Sequence, residues 1–321
     1  MIAPYEIYDL LQDYAGGSQA LDELILGQVW TYCDAGAIGL AMSPDASTRT
    51  LPWSGELKGQ RVSALTGWLR EFDVWKSAVG MAVVNAGINA RASAPDGIDL
   101  ISEGYSNNLA VFEHFRSDLA DKHVVVIGRY PGLHEWAQKN QIDMAVLERQ
   151  PGPQDYPDSA CEYLLPDADW VFITASSLTN KTFPRLARLA RGATTVLMGP
   201  TTPWLPEFYH FGIDYLAGVV IDESARVRTT LAEGGGVRLF EGGLHYRVVA
   251  VSHTACSDWS RALIAQTARE KESLSKGMEL WYAHGNKARF PHYIQLEAMN
   301  RRLSRLDTCF KKLWDSSTPD H

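Results

Sequence analysis

"HVVVIGRYPGLHEW", residues 123–136, places three signals in one short segment. Four apolar β-branched residues, Val124 to Ile127, run into Gly128. The pair Pro131-Gly132 then turns the chain into a helical pattern at Leu133 and Trp136. A buried parallel strand that hands a loop to a helix N-terminus has this form. The dinucleotide fingerprint G-x-G-x-x-G is incomplete, because Arg129 and Tyr130 stand between Gly128 and Gly132. A pyrophosphate needs bare backbone there. NAD and NADP are therefore not expected; a smaller or heterocyclic ligand is.

The same strand–helix alternation continues downstream. Strands are expected at 123–127, 143–147, 169–174, 194–198 and 214–220, with a closing β-rich piece at 244–251. Helices are expected at 106–116, 133–140, 157–163, 182–190 and 204–210. Continuous rather than alternating apolar strands indicate a mostly parallel sheet covered on both faces. The glycine runs at 234–236 and 242–243 fit hairpin turns.

Upstream, a helix over 4–14 stops at Gly16-Gly17, and two β-rich pieces flank the turn Asp34-Ala35-Gly36. Helical patterns at 62–72 and 76–90 complete a small α+β domain. The Ala- and Gly-rich second helix admits another backbone closely, so burial is expected. "RASAPDGID", 91–99, breaks the pattern. Three units follow: 1–95, 96–254 and a helical extension, 255–321.

In the extension, Ser257 caps a helix from Asp258, and a second helix follows Pro291. There Leu296, Met299, Leu303, Leu306, Phe310 and Leu313 recur at alternating steps of three and four. That period makes a narrow apolar seam, for packing on the chain itself or on a second copy; a homo-oligomer is expected. Arg301, Arg302, Arg305, Lys311 and Lys312 fall on the opposite face.

The formal net charge of −8 repels nucleic acid. No apolar run approaches the roughly 20 residues that span a bilayer, and "MIAPYEIYDLLQDY" has acids where a signal peptide needs cations. A cytoplasmic location is expected, with neither membrane nor nucleic-acid partner. Cys33, Cys161, Cys256 and Cys309 are too dispersed for a disulfide framework or zinc knuckle. No nucleophile elbow, P-loop lysine or H-E-x-x-H is present.

Ligands of open parallel sheets sit beyond the carboxyl ends of the strands. Glu148 follows the second strand, about 20 residues after Gly128, where such folds place an acid for a ribose diol. "TASSLTNKT", 174–182, follows the third and is dense in hydroxyl and amide groups. "GPTTPW", 199–204, follows the fourth. There Thr202 is expected to cap a helix starting at Pro203, whose free N–H groups, with Thr201, suit a carboxylate or phosphate.

"VLERQPGPQDYPDSACEYLLPDADWVFITASSLTNKTF" and "VLMGPTTPWLPEFYHFGIDYLAGVVI" resemble the heavy-metal-chelation domain family, of unknown function. "IGLA" (38–41) and "AVGMAVVNA" (78–86) resemble its companion domain, which is similar in fold to the N-terminal domain of enolase. The resemblance implies a Rossmann-like domain preceded by that small domain. It also implies a site between them, lined by Gly128, Glu148, Thr174, Asn180, Thr182, Gly199, Pro200, Thr201 and Gly218, with Gly39 and Asn85 from the first domain. Ala175 replaces a family glycine.

Three functions are open at this stage. The first is binding of a small anionic or heterocyclic ligand, a metal or a metal–chelator complex. The second is an enzyme on a nucleotide-like or flavin- or pterin-like substrate, and the third is assembly through the C-terminal helices. Oxygen donors such as Glu148 favour hard cations, so a metal is expected to arrive on a small chelator.

Overall fold

The computed structural model describes residues 5–15, 17, 19–91, 94–101, 107–251 and 253–317, without the side chains of 253–256, 309 and 312–317. Gly16 and the side chains of Cys256, Cys309, Lys312 and Leu313 lie outside the described residues.

The N-terminal layer begins with α1 (Glu6–Ala15), followed by an antiparallel meander of β1 (Glu23–Leu26), β2 (Trp30–Asp34) and β3 (Ile38–Met42). The pattern at 62–72 becomes one α turn, α2 (Val62–Leu65), continued as a 3-10 turn over Thr66–Arg70. α3 (Val74–Asn89) starts at Asp73, whose carboxylate accepts from the Lys76 N–H at 2.9 Å. Every residue from Ser77 to Ile88 is buried. Its small residues allow this: a Cβ on Gly80 would lie 2.2 Å from the Leu69 nitrogen.

The second layer holds β4 (Ile98–Leu100), α4 (Ala110–His114), β5 (Val124–Ile127), α5 (Leu133–Asn140), β6 (Met144–Glu148), β7 (Tyr156–Pro157) and α6 (Cys161–Leu164). It continues through β8 (Trp170–Thr174), α7 (Ser176–Thr179), α8 (Phe183–Leu189), β9 (Thr194–Met198), β10 (Tyr215–Ile221), α9 (Ser224–Ala232) and β11 (Leu244–Ala250). The eight strands lie in the order β4-β11-β10-β9-β8-β5-β6-β7. From β7 to β10 all neighbours are parallel; β11 and β4 pair antiparallel at one edge. β5 is buried along its whole length, as a strand covered on both faces must be.

Two expectations fail locally, and one helix, α9, had not been expected. The glycines at 234–236 and 242–243 do not make a tight hairpin, because α9 and a 3-10 turn over Val237–Phe240 separate β10 from β11. α9 escaped notice because it buries only Val227 and Leu231. The helix expected at 204–210 is a 3-10 turn over Pro206–Phe211. Pro206 excludes the α region for the residue before it, and Leu205 is extended at φ −137°, ψ 129°.

α10 (His253–Ala283) and α11 (Tyr293–Ser317) form a helical hairpin, with α10 starting before the expected Asp258. Leu296, Met299 and Leu306 of the seam are buried, and Leu303 and Phe310 are partly so. The basic face is not all solvated. Arg302 is buried, donating from Nε and Nη2 to the Asp13 carbonyl at 3.2 and 2.8 Å and from Nη2 to the Tyr14 carbonyl. Arg305 donates to the Asp13 carboxylate at 2.8 Å. These are carbonyls of the last turn of α1, which lack partners within their own helix.

Candidate functional site

β5 is the first strand of the parallel set. The chain runs outward from it to β6 and β7, then returns to β8 on its other side. The loops after β5 and β8 therefore part at this point, and a cleft of about 890 Å³ opens there.

Its glycine and hydroxyl wall comes from the strand ends: Gly128, Glu148, Thr174, Asn180, Thr182, Gly199, Pro200 and Thr201 all line it. Gly128 holds φ +99°, and a Cβ there would meet Thr174 Cγ2 at 3.1 Å. Gly199 holds φ +114°. Only glycine adopts such angles without strain.

Glu148 accepts the Arg129 N–H at 3.0 Å and the Arg149 N–H at 2.7 Å, one on each oxygen. It braces the β5 loop against the end of β6, and each oxygen keeps lone-pair capacity. The Arg129 guanidinium is drawn aside to Asp155, at 3.1 Å from Nε and 2.5 Å from Nη2. Burial acts to raise the Asp155 carboxyl, but His134, the Gly152 N–H and Arg129 outweigh it and hold it at about 2. Tyr130 packs edge-on against Phe112, with 5.3 Å between centroids, and burial pushes its phenol upward.

Four expected residues are not in the lining. Gly39 packs on α3, where a Cβ would lie 2.1 Å from the Ala82 oxygen and 2.2 Å from the Ala86 nitrogen. Asn85 is buried and donates to the Leu40 and Thr201 carbonyls at 2.8 and 3.0 Å. Gly218 makes room for Trp204, whose Cζ2 would be 2.6 Å from a Cβ. Thr202 is buried in a turn, its N–H bonded to the Gly199 carbonyl at 3.0 Å. With no helix at Pro203, the expected anion site at a helix N-terminus is absent. The Thr201 hydroxyl instead accepts the Met42 N–H at 3.0 Å. With Asn85, it stitches the end of β3 to the loop after β9.

Aromatic side chains line the same cleft: Trp30, Tyr130, Phe240 and Tyr246, with Met42 to Ala46 from the end of β3 and the loop after it. Of these aromatic residues, the sequence pointed to Tyr130 alone. Phe240 and Tyr246 stack at 4.7 Å, and Trp30 Nε1 donates to the Gly236 carbonyl at 3.2 Å. Ser177 and Asn108 also line the cleft; both are buried, and Ser177 Oγ and Asn108 Oδ1 have no protein hydrogen-bond partner. Buried polar atoms are ordinarily paired.

The cleft does not fit a resident metal made by protein side chains. Among the described residues no three His, Cys, Asp or Glu side chains gather to hold an ion. Soft metals need thiolates. Cys33 and Cys161 are buried, and burial, helped by Asp34 and Asp22, pushes the Cys33 thiol up to about 12. No helix among the described residues is long and apolar enough to cross a membrane.

A curated relative, an uncharacterized protein of Methanocaldococcus jannaschii, is 28% identical over 181 residues, or 53% of this chain. The chain spans 64% of that relative's length. A solved protein with unknown function from Desulfitobacterium hafniense DCB-2 is 27% identical, with a TM-score of 0.63. The likeness covers 77% of this chain and 98% of that one. A second, from Pyrococcus horikoshii, has a TM-score of 0.63 at 19% identity, covering 77% and 99%. That likeness is one of fold.

Two family profiles match, one over residues 8–88 and one over 110–250. The first falls on the meander and α3, the second on the parallel sheet, and both carry one description that points to metal or ligand binding. The chain belongs to the family described as "Putative heavy-metal chelation".

Proposed function

We propose that the cleft binds a small ligand with a planar apolar face and a polar end, free or chelating a metal ion. The observation that carries this is the mixed lining of the cleft. Its aromatic rings suit a planar body, and its glycine backbone and hydroxyls suit oxygen or nitrogen substituents. Sites of this size are mostly apolar with a few placed polar groups. Ser177 Oγ and Asn108 Oδ1, buried beside the cleft, have no hydrogen-bond partner within the chain. A metal in this reading is cargo held by the small molecule, which supplies the donors that the protein does not.

The test is native mass spectrometry with elemental analysis of the purified protein, followed by calorimetry with planar heterocycles, free and metal-loaded. Met42 is 37% exposed on the cleft wall, so Met42→Trp fills the space without disturbing the core. Unchanged melting with at least tenfold weaker binding supports the proposal. Affinity unaffected by Met42→Trp places the ligand elsewhere and overturns it.

A further inference from the structure

Among the described residues, the helical hairpin is fastened to the rest of the chain at its base. Gln266 donates to the Arg91 carbonyl, and Arg301, Arg302 and Arg305 grip Asp13 and Tyr14. From 277 to 296 the hydrogen bonds, ion pairs and ring contacts all stay within the hairpin. At 1.5 Å per residue, α10 extends about 25 Å beyond Gln266. Its tip is apolar where a solvated tip needs polar groups: Leu280 is 60% exposed, Ile294 67% and Tyr282 46%. Lys287 and Arg289 are exposed beside them, and the nearest carboxylates, Glu279 and Glu297, stand at the two edges of the segment 280–296.

A second patch has the opposite charge. Phe72 is 80% exposed and Val74 48%, flanked by Glu71 and Asp73. An ion pair from Asp9 to Arg70 brings the first turns of α1 alongside. Tyr5, 58% exposed, shares the Asp9 face at i, i+4. With Glu6, the patch holds four carboxylates; Asp9 and Glu71 are paired with Arg70 and Lys76, which leaves Glu6 and Asp73 as its net charge. Val74 also lines the cleft.

We propose that the hairpin tip of one copy docks on the Phe72–Val74 patch of a second copy, at the rim of its cleft. Each surface is apolar at its centre, and the surrounding charges are complementary. Exposed apolar patches rimmed by polar groups mark interaction sites. A lipid surface fits less well, because basic lipid-binding segments carry clusters of about 4–8 Lys or Arg, and this tip has two. Reciprocal exchange of tips closes a two-fold dimer; a one-way contact extends into a ring or filament.

Sedimentation velocity of the full chain tests this over a concentration series. Leu280→Asp with Ile294→Asp on the tip, and separately Phe72→Asp on the patch, substitute exposed positions, so thermal melting should stay at the wild-type value. Each variant is expected to weaken association at least tenfold. Arg289→Glu with Lys287→Glu should also dissociate the assembly, and mixing it with Glu6→Lys and Glu71→Lys chains should restore a heterologous contact. A monomeric wild type overturns the proposal, as does an oligomer indifferent to these substitutions. Loss with the tip variant but not with Phe72→Asp overturns the assignment of the patch. A monomer that floats with anionic vesicles through Leu280 and Ile294 overturns it in favour of a membrane partner.

Discussion

Gly39 and Glu207 show how much a single position controls in this molecule. β3 rests on α3 at Gly39 so closely that a methyl group has no room. Gly39→Ala is expected to destabilise by at least about 1–3 kcal/mol, the usual cost of overpacking, read from urea melts. Burial of Glu207 pushes its carboxyl from the usual 4.5 to about 7, against the Tyr14 hydroxyl that donates to it. The folded state then holds a proton that the unfolded state releases between these values. Stability should therefore fall as pH rises from about 4.5 to 7 and level off above. The contribution is on the order of 3 kcal/mol. Glu207→Gln should flatten that slope in melts from pH 4 to 8; a persisting slope would assign it to another group. The glycines and hydroxyls after the strands were legible because loop chemistry at strand ends is local. Gly39 and Asn85 were legible only as positions, and the structure makes them packing groups. Trp30 and Phe240 gave no signal because the contact between a meander strand and a turn some 200 residues later has no periodicity.

Among the elements, those with strong periodicity were recovered and those governed by a proline or by sparse burial were not. β9 and α5 fall at the expected residues, 194–198 and 133–140. The segment 204–210 looked helical, with capping chemistry at Thr202 and Pro203, but Pro206 acts backward on Leu205 and holds it extended. On α11 the seam was legible, whereas the clasp by Arg302 was not, since an arginine among basic neighbours looks solvated. Base and tip of the hairpin should respond differently. Leu306 is fully buried at the base, so Leu306→Ala is expected to cost about 2–5 kcal/mol. Leu280→Ala at the tip should stay within about 0.5 kcal/mol in monomer stability measured at low concentration. Equal effects from the two would mean that the tip is packed within its own chain.

For the whole molecule, the alternation of strands predicted the mostly parallel sheet, and its topology puts the cleft where strand order reverses. Glu148 braces two loops while lining the cleft. Glu148→Gln replaces one acceptor with a donor facing a backbone N–H. It should cost about 1–3 kcal/mol of stability and lower ligand affinity roughly tenfold, measured by calorimetry beside melting. Unchanged affinity with lowered stability would leave Glu148 a brace alone.

The clasp on α1 has a further consequence in time. Two guanidiniums donate to the Tyr14 carbonyl, Arg91 at 3.3 Å and Arg302, and the second comes 288 residues after Tyr14. At about 5–20 residues per second, the interval is about 15–60 s on the ribosome. Throughout it, the Tyr14 carbonyl has Arg91 without Arg302, and the Asp13 carbonyl lacks both of its Arg302 hydrogen bonds. α1 is thus sealed only when α11 arrives, and a nascent chain stalled before Arg302 should leave the end of α1 more open to a protease than it is in the finished protein.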